Sequence, residues 1–501
     1  MHDTLDLSSE RAELAEELAG IETELRRRRW LAAPVKWVEE RLGEFVWSKQ
    51  KLILDSVRKN RRTAVHSCHE AGKSYIAARI AAWWIDTHKP GEAFVVTSAT
   101  TGDQVKAILW REIGRAHAKG LSGRTNQTEW YIDIPQANGT TKEELVAFGR
   151  KPSDYNPTAF QGIHARYVLV IFDEAAGISG GSPEEPHSLW EAADSLIAND
   201  DSRFLAIGNP DDPQSEFAGV CKPGSGWNVI GIDAFETPNF TGEPVPDAIR
   251  HVLIGKTWVE EKRKKWGETN PLWIAKVRGQ FPERTIDGLI PISWVRAAQL
   301  RSLEPKTPEE QKLAAKWIHE LGVDVGAGGS GKNTVAERRG PVVRIIRRDN
   351  EPDTMKSCGR LLQELRSTGA KRAKVDMQGV GTGLVNRAQE QGAPVLGVNV
   401  GLPAREKEAY ENVRAEGYWA LRDRFLEGEI DIDPTDDDLA AQLVDLKFHP
   451  SSRGKTMIES KEEMKRRGRP SPDDADAVML AFLPDHLLGP QEVQELDVMW
   501  G

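Results

Sequence analysis

Along the first part of the chain the spacing of apolar positions changes twice. Between residues 8 and 29, Leu14, Leu18, Ile21 and Leu25 recur at steps of three and four among Glu and Arg. This spacing predicts an amphipathic N-terminal helix ending in the Arg26, Arg27, Arg28, Arg29 run. From about residue 45 to 210, short apolar β-rich runs at 64–66, 94–97, 167–172 and 204–207 alternate with stretches of helical period. Strands that alternate with helices predict a parallel α/β sheet. Residues 211–300 lose that regularity and are richer in Pro, Gly and irregular polar sequence, with a charged helix expected only between Trp258 and Trp273. A second strand-rich pattern begins at Trp317, continues through 342–347, 373–376 and 394–400, and closes with a helix from about Pro472 to Phe482. The predicted organisation is an N-terminal helical segment (1–44), an α/β core (45–210), a lid or linker region (211–305), a second α/β domain (306–488) and an acidic tail (489–501).

Composition narrows the class. At 501 residues the chain exceeds what one hydrophobic core usually organises. A content of 39% hydrophobic and 29% charged residues fits an ordinary globular protein and argues against disorder or a fibre. No apolar run approaches the ~20 residues that a bilayer demands, and the acidic N-terminus lacks a secretory pattern, so a cytosolic location is expected. Cys68, Cys221 and Cys358 are isolated, with neither CxxC spacing nor paired His, which argues against zinc and disulfides and leaves oxygen ligands for any metal. The net charge of -10 does not by itself suggest a nucleic-acid partner, although basic residues can still line a groove.

The first candidate chemistry follows the run at 63–66. Ser67, Cys68, His69, Glu70, Ala71, Gly72, Lys73 and Ser74 precede a helical stretch from Tyr75. Phosphates need backbone N–H groups at a helix N-terminus, a Lys on the β and γ oxygens and a hydroxyl on Mg²⁺, and Gly72, Lys73 and Ser74 supply all three. Ser67 stands where the P-loop pattern begins with Gly. Downstream, the apolar strand at 167–172 ends in Asp173 and Glu174. A buried strand there delivers Asp173 to the Mg²⁺ shell and leaves Glu174 to polarise the attacking water. The competing reading, a strand followed by solvated turn acids, loses weight once a P-loop lies upstream in the same domain. Gln50, just after Trp47, has a paired donor and acceptor that suit an adenine edge, with an exposed helix position as the alternative. Asn209, at the end of the run at 204–207, is placed to sense the γ-phosphate or simply to leave the strand. ATP ligands are thus expected among Gln50, Ala71, Gly72, Lys73, Ser74, Tyr75 and Asn209. An arginine is needed for the charge that develops on the transferring phosphoryl group, and Arg150 and Arg166 are unranked candidates.

A second constellation lies in the C-terminal half. Residues 326–333 nearly match another P-loop, but they end in Asn333 and lead into strand-like sequence, so a hairpin is the better reading. Asp324 precedes that turn, Asp376 ends the run at 373–376, and Asp473 and Asp476 open the last helix, with Ser471 as its expected cap and Pro472 at its first position. Spacing of three puts Asp473 and Asp476 on one helical face. Cutting a phosphodiester with two Mg²⁺ or Mn²⁺ ions ~4 Å apart needs carboxylates converging from separate elements. Turn capping for Asp324 and Asp376, and helix-dipole compensation for Asp473 and Asp474, are the simpler alternatives. Asp476, between Ala475 and Ala477, sits in an apolar setting where an unpaired carboxylate is expensive. Lys465, Arg466, Arg467 and Arg469 form a basic cluster suited either to DNA phosphates or to solvent.

This order of motifs resembles the large terminase subunits of tailed double-stranded DNA phages over nearly the whole chain. The resemblance rests on Trp47 and Gln50, the P-loop ending in Gly72, Lys73, Ser74, the segments VVTSATTGDQVKAILW (95–110) and AFQGIHARYVLVIFDEA (159–175), residues 207–210, and SPDDADA near the end. It implies an ASCE-type P-loop ATPase joined to an RNase H-like nuclease that packages double-stranded DNA and cuts concatemers. It also implies a homo-oligomeric ring on the procapsid portal, a small terminase subunit as partner, and a location in the host cytoplasm. Several terminases carry an Arg inside the P-loop where His69 and Glu70 stand here, which turns attention to a neighbouring subunit as donor. A host repair or defence helicase-nuclease shares both sites and is the alternative; an assembly adaptor with decayed sites is the non-enzymatic one. The tail is a candidate for portal docking.

Overall fold

The computed structural model describes residues 7–100, 105–136, 140–150, 163, 165–178, 189–283, 287–303, 314, 316–326 and 332–488. The expected tail (489–501) and most of the Gly-rich decoy turn lie outside them. No helix among the described residues is long and apolar enough to cross a membrane. The chain divides into two compact units, one of residues 1–259 and 275–281, the other of 260–274 and 282–501. The stretch expected as a separate lid or linker, 211–305, is therefore shared between the units. Part of it even enters a sheet.

The first unit is built on eight strands: β1 (Arg62–Ser67), β2 (Ala93–Ser98), β3 (Arg124–Thr125), β4 (Glu129–Pro135), β5 (Thr141–Gly149), β6 (Tyr167–Asp173), β7 (Arg203–Gly208) and β8 (Asn228–Ile232). Their order across the sheet is β3-β4-β5-β2-β6-β7-β1-β8. The strands from β5 to β8 run parallel, and β3 and β4 add an antiparallel edge. One strand, β7, separates β1 from β6, which is the arrangement of an ASCE-type P-loop sheet. β6 is apolar because it is central: every residue from Val168 to Asp173 is buried. Phe172, Phe204, Trp190 and Phe217 fill one face of this core. Helices α1 (Leu7–Ala32), α2 (Ser48–Lys59) and α3 (Lys73–Thr87) belong to its N-terminal part, with a short helix, Pro34–Arg41, between the first two. The expected N-terminal helix is α1, but Leu14, Leu18, Ile21 and Leu25 are exposed, so its apolar stripe faces no described part of the chain.

The second unit holds β9 (His319–Asp324), β10 (Asn333–Arg339), β11 (Val342–Asp349), β12 (Arg372–Asp376) and β13 (Val395–Val398) in the order β11-β10-β9-β12-β13. β9, β10 and β11 pair antiparallel, and β9, β12 and β13 parallel, the strand order and senses of an RNase H-like sheet. β10 follows the Gly-rich decoy, so no helix N-terminus stands there to take a phosphate. Five helices matter below: α4 (Lys256–Trp266), whose first turn belongs to the first unit, α5 (Val413–Glu427), α6 (Asp437–Asp445), α7 (Lys461–Arg466) and α8 (Asp473–Phe482). α8 lies almost in backbone contact with β9, because a Cβ on Gly322 would fall 2.1 Å from the Ala477 carbonyl oxygen and 2.3 Å from the Ala481 nitrogen.

Candidate active sites

In the first unit the loop from Cys68 to Gly72 joins β1 to the N-terminus of α3. Gly72 takes φ 76°, ψ 34°, a left-handed backbone that favours glycine, and a Cβ there would sit 2.7 Å from Gln50 Nε2. Three backbone bonds hold the loop: Cys68 N–H to the Ile232 carbonyl (2.8 Å), His69 N–H to that of Lys276 (2.7 Å) and Ile254 N–H to that of Glu70 (3.1 Å). Lys73 Nζ donates to Asn209 Oδ1 at 3.0 Å, and Asn209 Nδ2 donates to the Ser67 carbonyl at 2.9 Å. Asn209 thus ties the end of β7 to both ends of the loop. Ser74 Oγ donates to Asp173 Oδ2 at 2.8 Å. Burial, reinforced by the Glu174 carboxylate, pushes the Asp173 carboxyl up to about 6.

Glu174 is held in the left-handed region at φ 50°, ψ 47°. Such backbone persists in a non-glycine residue only when its surroundings enforce it. Thr100 Oγ1 donates to the Glu174 carbonyl at 3.1 Å, and Gly208 packs so closely that a Cβ there would lie 2.9 Å from Ala175 N. The strand therefore turns sharply at the two acids rather than fraying into solvent.

Other expected ligands of this site divide. The Gln50 amide is buried and already used: Oε1 accepts from Trp47 N–H (3.3 Å) and Nε2 donates to the Gly72 carbonyl (3.4 Å). In this structure it braces the loop rather than presenting a free edge. Ala71 is buried in the loop. The Tyr75 hydroxyl points elsewhere, donating to Glu44 Oε2 (3.1 Å) in a cluster with Arg79, so only the backbone of Tyr75 faces the loop. Arg150 follows β5 at the same sheet end as Asp173, with its guanidinium 4.6 Å from the Phe148 ring centre. Arg166 is a correction. It precedes β6, a strand of seven residues and roughly 20 Å from Asp173, and it pairs with Asp201 at 3.2 Å. It cannot serve the site of its own chain.

In the second unit β9 and β12 end at Asp324 and Asp376, and α8 presents Asp473 and Asp476. Asp324, Asp473 and Asp476 all face one cation that the motif reading missed: Lys461 Nζ lies 3.2 Å from Asp324 Oδ2, 3.6 Å from Asp473 Oδ1 and 3.2 Å from Asp476 Oδ2. Asp376 joins electrostatically, since Asp476 helps burial to raise its carboxyl. Burial pushes the Asp324 carboxyl well up; Lys461 opposes this, and Asp476, Asp473 and Asp376 add to it. Asp476 goes the other way: burial is outweighed by Arg414 and Lys461, and its carboxyl is held below the usual range. Tyr418 Oη donates to Asp476 Oδ1 at 2.6 Å and an Arg414 N–H does so at 3.2 Å. Among the described residues no group of three or more His, Cys, Asp or Glu stands arranged to hold a metal ion; Asp324, Asp473 and Asp476 face the Lys461 ammonium instead. The donor set itself, four carboxylates beside the two cations Lys461 and Arg414, suits hard divalent ions.

Two further expectations are corrected here. Ser471 does not cap α8: Pro472 occupies the cap position, and the Asp474 and Ala475 N–H groups donate instead to Gln442 Oε1 of α6 at 2.9 and 3.1 Å. Asp474, next to the site, is bound by Arg348 (2.9 Å), Thr334 (3.2 Å) and Gln442 (3.0 Å), and anchors the helix. Of the basic cluster, Arg467 is paired with Glu459 and Asp445, and Arg469 is buried against Asp445 and the Trp266 carbonyl; Lys465 and Arg466 are exposed without such partners among the described residues. Lys461 carried one readable signal, the Ser460–Glu463 capping box around it. Tyr418, Arg414 and Gln442 carried none, because their helices lie far from the aspartates in sequence.

No family model matches the chain. A curated relative, the probable terminase large subunit of Enterobacteria phage P7, is 25% identical over 300 residues, which is 57% of this chain. The chain spans about half of that relative, 54% of its length. Among solved structures, the large terminase of the thermophilic bacteriophage D6E in complex with ADP is 12% identical, covering 89% of this chain and 100% of that one at a TM-score of 0.39. A mutant nuclease domain of the large terminase subunit of bacterial virus Sf6, with manganese, is 23% identical over 39% of this chain and 98% of that one at a TM-score of 0.33. The chain is similar to large terminase subunits.

Proposed function

We propose that this chain is a phage DNA-packaging subunit, in which ATP hydrolysis by the first unit translocates double-stranded DNA into a procapsid and the second unit cuts concatemeric DNA. One observation carries the reading: a single polypeptide holds a Ser74–Asp173 contact of 2.8 Å beside a P-loop lysine and, in a separate unit, Asp324 of a strand with Asp473 and Asp476 of a helix around Lys461. The sequence similarity to the P7 protein supports it.

At the nucleotide site, ATP phosphates would lie on the N–H groups from Ala71 to Tyr75, with Lys73 leaving Asn209 for the β and γ oxygens. Ser74 and Asp173 are already joined in the positions that would share Mg²⁺. Glu174 would orient and deprotonate the attacking water, and Asn209, released by Lys73, would report whether a γ-phosphate is present. With Arg166 at the opposite end of β6, the stabilising arginine is Arg150 or one from a neighbouring copy in a ring.

At the nuclease site Asp324, Asp376, Asp473 and Asp476 would hold two divalent ions, Mg²⁺ or Mn²⁺. Those ions supply polarisation of the phosphodiester and a more acidic attacking water. The chain does the rest. Tyr418 and Arg414 fix the Asp476 carboxylate, and the Lys461 ammonium, which offsets the charge of Asp324, Asp473 and Asp476, would be free for the backbone phosphate were ions held by these acids. Portal protein, small terminase subunit and a location in the host cytoplasm belong to the same reading. The test is purified protein assayed for DNA-stimulated ATP turnover and Mn²⁺-dependent plasmid cleavage. Lys73→Ala abolishes turnover and leaves cleavage; loss of both with the fold intact contradicts two separate sites.

A further inference from the structure

The segment 260–274, which by sequence reads as linker, is anchored within the nuclease unit. Trp266 is buried, Asn270 Nδ2 donates to the Ala441 carbonyl at 3.1 Å, Lys262 and Lys265 pair with Asp438 at 2.9 and 2.8 Å, and Arg469 binds the Trp266 carbonyl. This anchoring brings the basic last turn of α4 to the wall of a cavity of about 220 Å³. Lys332, Ser471 and Asp473, the last at the start of α8, line the same cavity.

Three acids of the cleft's lining are already neutralised: Asp438 by Lys262 and Lys265, Asp445 by Arg467 and Arg469, Asp474 by Arg348. Lys264 and Lys332 are exposed, and neither ammonium pairs with a carboxylate of the described residues. Ser471 Oγ is enclosed and has no hydrogen-bond partner among the described residues. The Lys332 N–H donates to Asp473 Oδ2 at 2.9 Å, which fixes this basic rim directly beside a proposed metal ligand.

We propose that this cleft is a phosphate-binding track for one DNA strand, with Lys264, Lys332 and Ser471 holding backbone phosphates next to the one to be cut. The inference rests on the nuclease reading and adds to it the path of the substrate. Two ammonium groups and a hydroxyl recognise phosphate without reading bases, so the contacts are sequence-independent and screened by salt. Packaging needs contacts of that kind.

The test uses the full chain and a short DNA duplex, with Ca²⁺ replacing Mn²⁺ during binding. Lys264→Glu combined with Lys332→Glu is expected to weaken binding by about tenfold or more, and to flatten the slope of log affinity against log salt by about 2. Lys264→Arg with Lys332→Arg restores both. ATP turnover without DNA and the thermal midpoint stay at wild-type values, as both lysines are exposed. Unchanged affinity and slope in the Glu variants overturn the inference whether or not the wild type cuts DNA. If the slope falls but wild-type protein never cuts with Mn²⁺, the phosphate contacts stand and the nuclease reading is what fails.

Discussion

Asp173 and Asp324 are carboxyls whose burial and like-charged neighbours raise their affinity for a proton. In a ligand-free protein such a group adds stability that is fully present below its ordinary value and is lost as pH rises through the folded one. For Asp173 the window runs from about 4 to about 6. The urea midpoint of wild type relative to Asp173→Asn is therefore expected to rise as pH falls through that window, measured without nucleotide or metal. A flat difference would contradict the burial assigned to this carboxyl. At this scale the sequence was most readable where chemistry demands a residue type within a short motif, as at Gly72, Lys73, Ser74, Asp173 and Glu174. Side chains that act from a distance were silent. Lys461 looks like a solvated helix start, and Arg467 and Arg469 look like a DNA-binding cluster until their acidic partners are known.

Strands and helices were legible through their apolar period, but the contacts that aim them were not. α8 shows why. Its acids are useful only because the helix lies against β9, and Gly322 makes that approach possible, two residues before Asp324. Gly322→Ala must push the helix away or distort the strand, at a cost of about 1–3 kcal/mol. DNA cleavage is expected to fall at least tenfold while ATP turnover is kept. Equal loss of both activities, or wild-type cleavage, would contradict the role given to this contact. The helix start also escaped a local reading, since Gln442 of α6 supplies the cap that Ser471 was expected to provide. A capping rule sees only neighbours in sequence. Likewise the basic turn of α4 reads as linker because nothing near it in sequence reveals Asn270 and Trp266 as anchors.

In the whole molecule, two sheets of different strand order each carry acids at strand ends, and each is completed by a helix or loop that follows. Alternation of strands and helices made the α/β class readable, and the positions of β7 between β1 and β6 and of β9 between β10 and β12 fix the two architectures. The boundary was less readable, since β8 and the segment 260–274 leave the irregular region for opposite units. The central claim is that one chain keeps two independent phosphate chemistries. It is tested most directly by measuring ATP hydrolysis and Mn²⁺-dependent plasmid cleavage side by side for Glu174→Gln and Asp376→Asn. The account predicts a crossed result, with turnover lost and cleavage kept in the first and the reverse in the second, each loss about a hundredfold or more. Parallel loss of both activities in either folded variant, or neither activity in the wild type, would contradict it.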